Sequence, residues 1–186
     1  RMSHPNILDR DNCILVVVDM QDRFLRTIYQ SDLVIDNSIK LIECAKIFSI
    51  PVLVTVQLKE KMGLTTQAVR DALPSDVLEL DKTTFNCMGC DQFSSMLEAS
   101  QRKQVLICGI ETHICINQTA HDLFSRGYSV HICEDAVSSR TLENKQIAIK
   151  KMQNSGCVIT SKEMAIFELM VDAGCPEFKS ILPLVK

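Results

Sequence analysis

The sequence predicts an α/β fold in three layers: a doubly wound, mainly parallel sheet with helices packed on both faces. Three observations carry this prediction. Short runs rich in β-branched residues alternate with longer stretches at helical spacing. The runs are almost wholly apolar, as strands covered on both faces must be. Glycines close several of the helical stretches. Alternation of this kind builds a parallel sheet through right-handed crossovers.

The first run covers 14–18 and ends in Asp19. A helical stripe of Val34, Ile35, Ile39, Ile42, Ala45 and Phe48 follows, with Asp32 placed as its N-cap. The second run, 52–56, leads into an irregular stretch over 58–75. Gly63, two threonines and Pro74 predict a long connection there, with a short helix over 67–73. Long connections beside the carboxyl edge of a sheet are frequently substrate lids. A weaker run at 77–80 ends in Asp81 and Lys82, and Phe93, Met96 and Leu97 mark a short helix.

The run at 105–108 is followed, after a turn, by a helix from 116 to about 126 that stops at Gly127. Ile116, Thr119, Ala120, Leu123 and Phe124 fall on one of its faces. The run at 128–133 precedes a helix carrying Ile147, Ala148 and Met152, which stops at Gly156. The last run, 157–160, meets Ser161, an N-cap with Glu163 behind it. The helix it opens carries Ala165, Ile166, Leu169 and Met170, and Gly174 before Pro176 is the predicted stop.

A length of 186 residues suits one domain over 1–186 with an ample core, residues 1–10 forming an N-terminal arm. Hydrophobic residues make up 46% and charged residues 23% of the chain, and the net charge is −3. No overall basic field attracts nucleic acid or an anionic membrane, and a small-molecule substrate is the expected partner. Nine cysteines, an odd number scattered through apolar segments, argue against a disulfide framework and for a reducing compartment. The opening Arg1-Met2-Ser3-His4-Pro5-Asn6 lacks the charged-then-apolar pattern of a signal peptide. No apolar run approaches the ~20 residues needed to cross a bilayer. The expected location is the cytoplasm, or an organelle if a presequence has been removed.

Chemistry collects where runs end. Asp19 ends the first, Lys82 follows the weak one, and Cys115 lies in Gly109-Ile110-Glu111-Thr112-His113-Ile114-Cys115, between a run and a helix. In a parallel sheet these ends share one edge, so an acid, a base and a nucleophile can meet there. A thiol near a helix N-terminus is favoured as thiolate by unpaired N–H groups and the helix dipole. His113, two residues from Cys115 on a turn, points elsewhere. His121 and His131 read as surface or satisfied core histidines. Cys87-Met88-Gly89-Cys90 has a CxxC spacing but no second ligand pair for zinc, and it sits in mid-chain rather than after the first strand.

Asp19-Met20-Gln21-Asp22-Arg23-Phe24 resembles the D-x-Q-x-x-F opening of the isochorismatase-like cysteine hydrolases. Lys82-Thr83-Thr84-Phe85 resembles their lysine segment, and 109–115 their G-[IV]-x-T-x-x-C turn. Asp135-Ala136-Val137-Ser138-Ser139-Arg140 is similar to their later loop. The resemblance runs in order from Ile14 to about Phe178 and looks closest to the isochorismatase domain-containing proteins.

The resemblance implies a catalytic triad of Asp19, Lys82 and Cys115. It also implies an oxyanion hole from the backbone N–H groups of Glu111 and Cys115, and a cis peptide at Ile110–Glu111. It implies further a homo-oligomer, dimer or tetramer, that hydrolyses a C–N bond of a small amide-type compound. Phe24 is expected as both core and pocket wall. Glu111 departs from the small residues usual at its position, and it either enters the pocket to select substrate or pairs at an interface. The aspartate and histidines that hold metal in nicotinamidases are missing from Thr55-Val56-Gln57-Leu58-Lys59-Glu60-Lys61, so no metal and no cofactor are expected.

The expected chemistry uses Asp19 to take the proton of Cys115 and return it to the leaving amine, through a thioester. Lys82 separates the two like charges that would otherwise raise each other's pKa. Two rivals are a non-catalytic oligomeric scaffold of the same fold and a CxxC oxidoreductase acting through Cys87. Nuclease activity has no basic patch or two-metal carboxylate cluster behind it.

Overall fold

The computed structural model describes residues 4–186. At its centre runs β1 (Cys13–Val18), six residues of which all are buried. Around it lie β2 (Val52–Gln57), β3 (Glu79–Lys82), β4 (Gln104–Ile110), β5 (Ser129–Ser138) and β6 (Val158–Thr160). The sheet order is β3-β2-β1-β4-β5-β6, and every neighbouring pair is parallel. The chain winds outward from β1 to β3, then returns to the other side of β1 for β4 to β6. Where the order reverses, the carboxyl ends of β1 and β4 leave a crevice, the usual place for a ligand in such sheets.

Alternate residues of β1 face opposite layers, as the two-residue period of a strand requires. Leu15 and Val17 join a core with α2 (Ser31–Ile47), α4 (Gln67–Ala72), α8 (Lys162–Met170) and α9 (Phe178–Val185). Ile14, Val16 and Val18 join the opposite core with α5 (Asp91–Ala99), α6 (Asn117–Ser125) and α7 (Leu142–Asn154). Each fully buried valine or isoleucine contributes about 1.5–3 kcal/mol, so β1 is the strand both layers depend on. The one-turn helices α1 (Asp22–Leu25) and α3 (Lys59–Met62) sit on the connections that leave β1 and β2.

Gly109 makes the closest approach in the sheet. It pairs with Val18 at φ +115, and a Cβ there would lie 2.2 Å from the Val18 carbonyl oxygen. The register of β4 against β5 also shifts between Ile107 and Gly109, which turns the end of β4 toward the crevice.

Several boundaries differ from the sequence reading. The weak run at 77–80 becomes β3, two residues later, so Lys82 ends a strand instead of following one. Asp32 lies in the first turn of α2 rather than capping it, because Gln30 turns the chain with φ 51 and Ser31 is already helical. Ser161 does cap α8, accepting from Met164 N–H at 3.1 Å. That helix ends at Met170, where Val171 at φ 72 turns the chain, not at Gly174. Met96, Phe124 and Ile147 are exposed, so the buried stripes of their helices are narrower than predicted. Residues 135–138 of the expected later loop are the end of β5.

The arm is held down. Ile7 O accepts from Gln104 Nε2 at 2.8 Å, Leu8 N–H donates to Glu168 at 3.0 Å, and Leu8 is buried. Its reading as 1–10 falls partly on Arg1, Met2 and Ser3, outside the described residues. His131 is fully buried, with Nε2 shared between Pro5 O and Ser129 Oγ at 3.1 Å, while Nδ1 has no partner. Burial lowers its pKa to about 4, so it is a neutral core histidine and only half satisfied.

Two predictions follow from the core. Burial pushes the thiols of Cys13, Cys44 and Cys108 up to about 12, and those of Cys87 and Cys157 to about 11. Unfolded thiols ionise near 9, so the folded chain holds protons that the unfolded chain has lost. The contribution is complete below pH 9 and is lost as pH climbs toward 11–12, at up to about 1.4 kcal/mol per pH unit for each thiol. The urea midpoint should therefore fall steeply between pH 9 and 11; a flat profile would contradict this. Gly109→Ala should cost ~3 kcal/mol or more, since Val18 backbone blocks the added methyl and the φ is unfavourable. Melting temperatures of the two proteins test it, and equal values would show that β1 and β4 can part.

Candidate active site

The crevice gathers residues by register. Val18 lies opposite Thr55 and Gly109, and Gln57 lies opposite Lys82. Asp19 therefore emerges beside Thr55, and Lys82 beside Gln57, at the carboxyl edge of the sheet. Asp19 takes a left-handed backbone, φ 51, which costs a non-glycine residue roughly 1 kcal/mol. Its N–H donates to Thr55 O at 3.1 Å and its carbonyl accepts from Gln21 N–H at 2.8 Å. That turn sends the carboxylate back over the sheet edge. Thr55 Oγ1 donates to Oδ1 at 2.9 Å and Lys82 Nζ donates to Oδ2 at 2.8 Å.

Lys82 is enclosed, its side chain 0% exposed against 3% for Asp19. Its ammonium also donates to Gln57 Oε1 and to the carbonyls of Thr84 and Phe85 at 3.2 and 3.3 Å. Cys115 Sγ lies 3.5 Å away. Burial alone would lower the lysine pKa, but the charge and hydrogen bond of Asp19 outweigh it and the net shift is upward. The group stays an ammonium.

Cys115 sits in one turn of π-helix, Thr112–Ile116, that leads into α6. The expected cis peptide is present at Ile110–Glu111. Ile114 and Ile116 both donate their N–H to Glu111 O, at 3.2 and 3.3 Å. The thiol itself departs from expectation. Burial and then the adjacent Asp19 charge push its pKa well up, and Lys82 offsets only part of this. The helix N-terminus does not win, and the resting sulfur keeps its proton while Asp19 stands ready as its hydrogen-bond acceptor.

These groups meet at a small cavity of about 100 Å³. Phe24, Phe85, Ile110 and Ile114 form its apolar walls; Asp19, Gln57, Glu111 and Cys115 supply the polar ones. Phe24 also packs on the core, so it serves both expected roles. Glu111 reaches the cavity, but its partner is in the same chain: Oε1 accepts from Arg140 N and Nε, both at 3.1 Å. His113 turns away to Ser139, Nδ1 lying 2.8 Å from Oγ. Cys87 is buried behind the site, with Sγ 3.9 Å from Thr55 Oγ1, while Cys90 is half-buried against Asp81 O.

Three supporting residues were not assigned from the sequence. Thr55 orients the carboxylate and Gln57 grips the ammonium. Gln21 braces Gln57: its side chain accepts from Gln57 N–H at 2.8 Å and donates to Gln57 O and Gly63 O at 3.0 and 2.8 Å. The available signal was polarity, since Thr55 and Gln57 interrupt an otherwise apolar run.

The chain resembles known proteins along most of its length. Residues 13–164 match the isochorismatase domain model. A protein of Phytophthora sojae called secreted isochorismatase effector Isc1 is 41% identical over 176 residues, 93% of this chain and 84% of the relative. Isochorismatase domain-containing protein 2 of Danio rerio is 34% identical over 178 residues, 96% of this chain and 89% of the relative. A solved structure described as MAR1 ribonuclease from Caenorhabditis elegans superposes with a TM-score of 0.91 at 34% identity, covering 96% of this chain and 92% of that one. An isochorismatase domain model that spans most of the chain, relatives at this identity and a shared three-layer fold make this protein a member of the isochorismatase family.

Proposed function

We propose that the chain is a hydrolase that cleaves an amide-type C–N bond of a small molecule through a thioester on Cys115. The observation that carries this reading is buried Lys82 Nζ, 2.8 Å from the Asp19 carboxylate and 3.5 Å from the Cys115 sulfur, both of which line one cavity.

In the resting site the sulfur is protonated, Asp19 is a carboxylate and Lys82 is an ammonium. As Sγ bonds to the carbonyl carbon, Asp19 takes the thiol proton, so free thiolate is never needed. The carbonyl oxygen gains charge and faces the Cys115 N–H; one such donor is worth ~3–4 kcal/mol of barrier. Glu111 N–H is the second donor in this scheme. Collapse breaks the C–N bond while Asp19 passes its proton to the departing nitrogen. A water then gives a proton to Asp19 and adds to the thioester; the acid leaves and the proton returns to sulfur. Lys82 keeps carboxylate and sulfur from repelling each other throughout.

The rival readings have less behind them. A CxxC oxidoreductase would have to work through Cys87, which is fully buried with its thiol raised to about 11. A polyanion such as the substrate a ribonuclease acts on finds apolar walls and a cavity smaller than a nucleotide. The chain is read as a homo-oligomer because Met164, Phe167 and Val171 form an exposed apolar stripe along α8 and its end. Nine free thiols suit a reducing compartment such as the cytoplasm. No helix among the described residues is long and apolar enough to cross a membrane.

The test is ammonia release from amides, carbamoyl amino acids and ureides, with Cys115→Ala as the blank. On any substrate so found, Cys115→Ala and Asp19→Asn should lower kcat on the order of a thousandfold or more while melting near the wild-type temperature. Wild-type kcat in either variant refutes the mechanism, and no ammonia release from any of these compounds favours a non-catalytic scaffold. The pH profile provides an independent check. Because Asp19 takes the thiol proton during attack, the thiolate population does not set the rate, and kcat/KM should stay flat from pH 7 to 9. A tenfold rise per pH unit across that window would mean that a pre-formed thiolate attacks.

A further inference from the structure

Every formal charge at the cavity is already matched by a partner in the chain. Asp19 has both oxygens engaged, by Thr55 and Lys82. Gln57 is engaged at both ends of its amide, since Oε1 holds Lys82 and Nε2 donates to Thr83 O at 2.7 Å. Glu111, 14% exposed at the side chain, is paired with Arg140, which is 58% exposed and points its remaining nitrogens to solvent. What faces the space is mainly Phe24, Phe85, Ile110 and Ile114, with the thiol and the already paired Asp19, Gln57 and Glu111. A charged group entering there loses water and gains no counter-charge. The volume, about 100 Å³, is below the ~150 Å³ of an apolar cavity that holds benzene.

We propose that the site selects an uncharged, compact acyl group smaller than a benzene ring, and that the Glu111–Arg140 pair sets this preference by cancelling charge at the cavity wall. The leaving group extends through the mouth, beside exposed Phe85. This selectivity rests on Cys115 being the nucleophile of the preceding reading. Arg140 is the specificity determinant open to manipulation. Its backbone N–H also holds Glu111 Oε1, so Arg140→Ala removes the guanidinium while leaving the carboxylate anchored and unpaired.

Three methanethiosulfonates of similar size test the idea: the neutral ethyl, the cationic 2-ammonioethyl and the anionic 2-sulfonatoethyl reagents. In each, Cys115 sulfur bonds to the reagent sulfur, methanesulfinate departs and Asp19 takes the thiol proton. Peptide mass mapping reads the rate at Cys115, with half-buried Cys90 and Cys175 as references in the same sample. Relative to those references, the neutral reagent should modify wild-type Cys115 at least about tenfold faster than either charged one. Arg140→Ala should raise the cationic rate about tenfold and lower the anionic one, and Glu111→Gln, which leaves Arg140 unpaired, should raise the anionic rate. Equal wild-type rates for all three reagents, or an unchanged order in both variants, would overturn the selectivity while leaving the nucleophile intact. Modification of Cys90 with none at Cys115 by any reagent would overturn access to the cavity, and the cysteine mechanism with it.

Discussion

The ion pair between Lys82 and Asp19 is the constraint around which the carboxyl edge of the sheet is built. Two charges 2.8 Å apart with side chains 0% and 3% exposed have given up nearly all their water. Burying such a pair costs several kcal/mol per ion unless the remaining donors and acceptors are also filled. Here they are. Thr55 takes the second carboxylate oxygen, and Gln57 with two backbone carbonyls takes the rest of the ammonium. The polar interruptions in β2 are there to satisfy this pair, and the path of residues 83–85 is bent to bring its carbonyls inward.

The sheet order turns that local requirement into a site. Because β1 has β2 and β4 as neighbours, the residue after Val18 can touch one element from each side. Lys82 arrives from β3 through the length of its side chain, reaching across β2 to Asp19. Cys115 arrives from β4, whose end is pressed against Val18 by a glycine with no room for a side chain. Asp19 and Cys115, 63 and 33 positions from Lys82 in sequence, are thus held within hydrogen-bonding distance of its nitrogen. Among relatives of the isochorismatase family, the same architecture supports proteins carrying quite different functional names.

Much of this was legible in the sequence, for identifiable reasons. Runs of valine and isoleucine reveal buried parallel strands because no other element needs continuous β-branched burial. The convergence of Asp19, Lys82 and Cys115 follows from strand ends sharing an edge. β3 was misplaced by two residues because only alternate positions of Glu79–Lys82 are buried, which leaves a weak apolar signal. α9 was missed because Pro183 lies inside it, where proline ordinarily argues against a helix. The protonation of Cys115 was misjudged because desolvation depends on neighbours that local sequence does not show. The partner of Glu111 was equally hidden, since Arg140 lies 29 residues away and comes near only once β5 is laid beside β4.

Gln21 ties two segments of the chain to one side chain. Its amide nitrogen holds the carbonyls of both Gln57 and Gly63, and Gly63 belongs to the irregular connection beyond β2. Lifting that connection forfeits one carbonyl acceptor, an opposing contribution of about 1 kcal/mol. The residue left holding the other acceptor is the one whose far end clasps the buried ammonium. The connection beyond β2 and the clasp on the ammonium therefore share one brace, and a substitution that loosens the first will be felt in the alignment of the second.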